Sequence, residues 1–191
     1  MRASPPTLVA ASKAISAQRE AMIARWNEWL GERLSTAPAV SRDLVEHELG
    51  VIFDVLTVMV GPLRREVKHI WVDVTDHYGR LAAARGLAAG EVVEELQYLR
   101  ELLIRYLAPA IAALRPRQGM ALLLRLNRLV DKGVAVAVAG YTDVLVSGLI
   151  ASNGDEPHED SATIDPEAVR QELEDFRRAL HAVTGNGSNG H

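Results

Sequence analysis

The chain has 191 residues, 48% of them hydrophobic and 24% charged, with a net charge of −4 and no cysteine. That length holds one domain with a sizeable core and a short appendage. The charge gives no overall basic field for nucleic acid or anionic lipid, and the missing cysteines exclude disulfides, thiolate metal sites and cysteine nucleophiles. The opening stretch MRASPPTLVAASKAIS has no continuous apolar run before Lys13, so no secretory signal is expected and a cytoplasmic protein is the default.

The first predicted helix runs from about Thr7, after Pro5 and Pro6, to about Leu34, with Ile15, Met22, Ile23, Trp26, Leu30 and Leu34 as its apolar stripe and Pro38 closing it. Ser41 is the expected N-cap of the second, whose stripe is Val45, Leu49, Ile52, Leu56 and Met59 and which Gly61-Pro62 stops. The third is expected as one helix from Leu63 to Arg85, with Val67, Ile70, Val74, Tyr78 and Leu81 on one face and Gly86 as its C-cap. The fourth starts near Ala88 and carries Val92, Leu96, Leu99, Leu103 and Tyr106. Glu91, Glu94 and Glu95 crowd its first turns, where the dipole favours anions, and Pro109 is expected to kink it.

The fifth helix spans about Arg117 to Ile150, and within it DKGVAVAVAGYTDVLVSG poses a choice. Val134, Val136 and Val138 alternate with alanines as in a strand, yet Leu123, Leu126, Val130, Val134, Ala137, Tyr141 and Val144 form a helical stripe. A lone strand would leave its backbone polar groups unpaired, so the stretch is predicted helical. It is uncharged between Lys132 and Asp143 and is expected to be buried on most sides, with a break at Gly133 or Gly140 as an option for so long a helix. A membrane span is set aside, because Asp143 near its middle would cost roughly 2.5–3.5 kcal/mol. Gly133, Ala137 and Gly140 are small enough for another backbone to approach, and are expected in the seam of a homodimer.

After Ile150 the composition turns polar and acidic, and residues 151–165 read as a flexible linker. Residues 166–184 form an amphipathic helix with Asp165 as cap, Pro166 at its first position, and Val169, Leu173, Phe176 and Leu180 as a stripe for a partner or for the chain's own body; 185–191 read as a disordered tail. The fold class is therefore all-α, with five helices over residues 8–150 in a bundle or globin-like domain, a linker and one C-terminal helix.

Chemistry is sparse. Glu66 and His69 make one E-x-x-H, where a helix-bundle di-iron site needs two, so no metal site is expected. No nucleophile elbow or phosphate-binding glycine loop is present, and the pairs Glu94 with Glu95 and Glu66 with Asp73 lie on faces that look solvated. An enzyme is not expected. His77 sits at the edge of the third stripe beside Tyr78 and Arg80; packing or hydrogen bonding, a ligand contact, haem ligation and a pH-sensitive switch are its readings. Tyr98 is among the aromatics that could line a pocket or fill the core.

HYGRLAAARGLAAGEVVEELQYLRELLIRYL (77–107), with His77 at its head and Arg85-Gly86 at the turn, resembles the N-terminal sensor domain of RsbR-type stressosome proteins, the RsbT co-antagonist RsbRD N-terminal family. MIARWNEWL (22–30) is similar to that family's first helix and LNRLVDKGVAVAVAGYTDVL (126–145) to its last. The resemblance implies a globin-like, usually haem-free domain that dimerises and sets the activity of a STAS or kinase output domain. No STAS or kinase segment follows here, so the expectation is a non-catalytic sensory or regulatory module with no cofactor, acting through homodimerisation and a separate STAS-type or kinase-type output protein. The alternative is a haem-binding gas sensor with His77 as axial ligand.

Overall fold

A computed structural model describes residues 5–32, 42–152 and 165–186. Six α-helices and one 3-10 turn make up the described chain: α1 (Pro5–Gly31), α2 (Arg42–Val60), the turn Pro62–Arg65, α3 (Lys68–Ala84), α4 (Ala89–Ala112), α5 (Pro116–Ser152) and α6 (Pro166–Asn186). The fold is all-α, and the 133–141 stretch lies inside an unbroken α5. The expected end of α1 at Leu34, the Ser41 cap, and most of the 151–165 linker and 185–191 tail lie outside the described residues, although α5 continues to Ser152 and α6 to Asn186.

Local chemistry sets several ends. Gly86 adopts φ +77°, the left-handed conformation glycine favours. Around it the N–H of Leu87 bonds to Ala82 and that of Gly86 to Ala83, which closes the last carbonyls of α3. At the start of α4 the Glu91 carboxylate accepts the N–H of Ala88 at 2.7 Å, and Asp165 accepts the N–H of Glu167 at 3.0 Å in front of Pro166. α4 passes through Pro109 and ends three residues later at Ala112.

One expected helix is two. Pro62 opens the 3-10 turn, and Val67 leaves the helical range (φ −102°, ψ 7°) before α3 begins. Val67, Ile70 and Val74 are all buried on the same side of this break, so their spacing does not betray it.

α2 is the central helix. Val51, Ile52, Phe53, Val55, Leu56 and Val60 are all fully buried, a burial that runs round the helix because α1, α3 and α6 each pack against it. Trp26 of α1 packs edge-on to Phe53, ring centroids 6.0 Å apart, and tilts against Tyr78 at the same distance. Arg19 ties α1 to α2 by hydrogen bonds to Asp54 (2.6 and 3.1 Å) and to the Gly50 carbonyl (3.1 Å).

The closest helix crossing is between α3 and α5. A methyl on Gly79 would lie 1.8 Å from the Ala137 carbonyl oxygen, one on Gly140 2.6 Å from the Asp76 carbonyl, and one on Gly133 2.9 Å from the Trp71 ring. Gly133, Ala137 and Gly140 therefore form a seam within one chain, which corrects their placement in a dimer interface. Burial is one-sided: Gly133, Ala137, Gly140 and Tyr141 are buried, whereas Ala135 and Ala139 are exposed. Among the described residues, α5 is the one helix long and apolar enough to cross a membrane by length and composition. Beyond Tyr141 its surface exposes Leu145, Val146, Leu149 and Ile150, the last at 69%.

Candidate functional site

The sequence-predicted residues separate into three places. His77 is buried, not at the edge of the core. Its Nδ1–H donates to Oε1 of Glu48, itself buried on α2, at 2.8 Å. Its Nε2 lies 3.6 Å from Oε2 of Glu172 on α6, and Phe176 stands edge-on to the ring at 5.8 Å. Arg80, one turn on and half-exposed, donates to the same Glu172 oxygen and to Asp76, both at 3.2 Å. His77 and Arg80 thus meet one carboxylate that α6 brings. A haem on His77 would have to displace α6, because Glu172 and Phe176 cover that side of the ring.

Tyr78 faces the interior. Its hydroxyl donates to Glu95 of α4 (2.5 Å), which also accepts from Arg85 Nη2 (2.6 Å). The guanidinium of Arg85 lies 5.5 Å from the centre of the Tyr78 ring. Burial, then the Glu95 charge, pushes the Tyr78 hydroxyl well above its ordinary pKa. Burial opposes the charge on Arg85, but Tyr78 and Glu95 outweigh it and hold that group above its usual range. Glu95 was expected on a solvated face; its 4% exposure and its two partners place it inside. This cluster joins α3 to α4 and has no open face for a ligand.

Tyr98 is elsewhere. It stacks on Trp29 of α1 (4.5 Å, 11° between planes) beside a surface cleft of about 570 Å³ that Glu94, Gln97, Arg100 and Glu101 also line. Tyr98 does not share a site with His77, Tyr78 or Arg80.

α6 docks on its own chain. Leu173 and Leu180 are buried against the body, and Val169 and Phe176 are partly buried there. At its flanks, Glu174 lies 3.1 Å from His47 and Arg177 reaches Asp54 at 4.0 Å. Burial, then the charge of Arg177, lowers the His47 pKa. The four stripe residues, expected against a partner or the chain's own body, lie here against the body, where α6 packs on α2 and α3.

The sequence reading missed Glu48, Arg85, Glu95 and Glu172. Glu48 alone left a signal, since it stands at helical spacing from Leu44, Val45 and Ile52 and so on a face they bury. Among the described residues no group of three His, Asp or Glu side chains could hold a metal. No family model, curated protein or solved structure matches the chain.

Proposed function

We propose that the chain is a non-catalytic sensory or regulatory module of the RsbR-like stress-signalling class, working in the cytoplasm through a second copy of itself and a separate STAS-type or kinase-type output protein. One observation carries the reading: α6 is a separate helix, joined through residues 153–164, that lies across the α2–α3 face on a small buried stripe. Two buried leucines supply about 1.5–3 kcal/mol each. The surrounding ion pairs of Glu172, Glu174 and Arg177 are partly exposed and contribute at most about 1 kcal/mol apiece. Ordering 21 residues of helix opposes those gains. The docking contact is small, two buried leucines with Val169 and Phe176 partly buried beside them, and we infer that the helix can exchange between its own body and a partner.

Self-association is assigned to the outer face of α5 beyond Tyr141, where Leu145, Val146 and Ile150 are exposed. The seam residues Gly133, Ala137 and Gly140 are already occupied by α3. The test is affinity capture from a lysate of the native host, with the wild type and with Leu173→Asp as baits. Enrichment of a STAS-domain or kinase-type protein, altered when α6 is released, supports the reading. Capture of neither class by either bait rejects it.

A further inference from the structure

A cleft of about 590 Å³ opens where α5 passes the 3-10 turn and the start of α3. Arg64, Arg65 and Lys68 line one wall, and Arg125, Arg128 and Lys132 line the other. The last three recur at helical spacing, so one face of α5 presents them together. Glu66 is the single carboxylate in the lining. In a chain of net charge −4, six of its 21 lysines and arginines converge here. None of the six forms an ion pair with another described residue. The floor is apolar, made by Leu8, Met59, Ala121 and Leu129, all buried.

Arg125 is held in place over this floor. Its Nη2 donates to the Gly61 carbonyl at 3.1 Å, while its Nε is buried with no hydrogen-bond partner. Burial, then the charge of Arg64, lowers its pKa from the ordinary arginine value. A like-charged cluster without counter-ions opposes folding, and an anion in the cleft would relieve it. α3 starts in the same wall, its N-cap Val67 provides no side-chain cap, and its first turn holds no acidic residue, which adds a further preference for negative charge.

We propose that this cleft binds a small organic phosphate, with the phosphoryl group among Arg64, Arg125 and Arg128 and an apolar or aromatic body over Leu8, Met59 and Leu129. Guanidinium forks match phosphate oxygens, and several cations suit a doubly charged group better than a single carboxylate. The volume lies in the range of small-molecule sites. Inorganic phosphate would leave the apolar floor uncovered. A bilayer surface would meet the rim cations without reaching the buried floor. The cleft lies apart from α6 and from the outer end of α5, so the proposal stands whether or not the chain is a signalling module.

The test is fluorescence titration of the full chain with 1-naphthyl phosphate, alongside inorganic phosphate, 1-naphthol and phosphatidylglycerol vesicles. Saturable one-to-one binding of 1-naphthyl phosphate is expected, at least about tenfold tighter than either fragment and weakening as salt is raised. Arg64→Gln and Arg125→Gln should each weaken it by about tenfold, and the distant, exposed Arg178→Gln should leave it unchanged. Arg64 is exposed, so its variant decides the matter even if circular dichroism shows that Arg125→Gln fails to fold. No saturable binding, equal binding of 1-naphthol, variants that bind like the wild type, or binding to vesicles without binding to 1-naphthyl phosphate would each overturn the proposal.

Discussion

Gly79→Ala is the sharpest test of the packing. The added methyl carbon would sit 1.8 Å from the Ala137 carbonyl oxygen, and ordinary contact begins at 3.4 Å, a deficit of 3.4 − 1.8 = 1.6 Å. The obstructing atom is backbone in the middle of a 37-residue helix, so no side-chain rotation relieves the clash. α3 and α5 must separate, which loosens Trp71, Val74 and Tyr141 with them. Overpacking costs about 1–3 kcal/mol and occasionally more, and this site belongs at the upper end. Alanine recovers about 1 kcal/mol of helix propensity, so the net loss is about 2–3 kcal/mol. For a chain of this size that lowers Tm by roughly 5–10 °C. Gly148→Ala on α5 is the control: nothing lies within 4 Å of its added methyl, so it should be neutral or slightly stabilising. Thermal and urea unfolding of the two variants decide the matter. A Gly79→Ala protein as stable as wild type refutes the close crossing, and with it the placement of the small residues of α5.

Gly140→Leu should destabilise the monomer fold by about 3 kcal/mol or more, visible as lost helicity on mild heating, rather than merely dissociating a folded dimer. Leu173→Asp should release α6, seen as fast amide hydrogen exchange confined to residues 166–186, since a lone helix of that length is marginal in water; protection equal to wild type would contradict the docking. Glu95→Ala leaves Arg85 buried beside Tyr78 without its carboxylate, and urea unfolding should report a loss of about 3–5 kcal/mol. The raised Tyr78 pKa means that the folded state holds this proton more tightly than the unfolded one. Its stabilising contribution is complete below about pH 10 and lost as pH rises further through the folded value, so Tyr78→Phe should flatten the alkaline fall in stability.

Where the chain turns was readable because turn chemistry is local. Gly61-Pro62, Gly86 and Asp165-Pro166 each need only their immediate neighbours to end or start a helix, and each does so here. The break at Val67 left no trace in the spacing because the apolar stripe Val67, Ile70 and Val74 begins at it and has no buried member before it. The polar core was less legible still. Glu95 sits among Glu91 and Glu94, three acids in one helix start, and sequence alone does not distinguish the one that caps (Glu91) from the one that turns inward to Tyr78 and Arg85. Those partners come from another helix.

The small residues of α5 show the same limit at the level of whole surfaces. Gly133, Ala137 and Gly140 announce that a backbone can come close, but not whose. The answer lies in Gly79, whose missing side chain on α3 matches the bare backbone at Ala137; a lone glycine inside a helix is the trace it leaves in the sequence, and that trace does not say which helix comes close. Once α3 fills that seam, an apolar stretch without charge is no longer evidence for a second copy at residues 133 to 141. The case for association moves along the helix to Leu145, Val146 and Ile150, which are exposed. On that placement Val146→Glu should abolish self-association, while at protein concentrations low enough for the wild type to be monomeric its unfolding transition stays within about 0.5 kcal/mol of wild type, as for other exposed substitutions. Light scattering and urea unfolding over a dilution series read both quantities. A dimer that survives the charge, or a monomer that loses stability with it, returns the interface to another face.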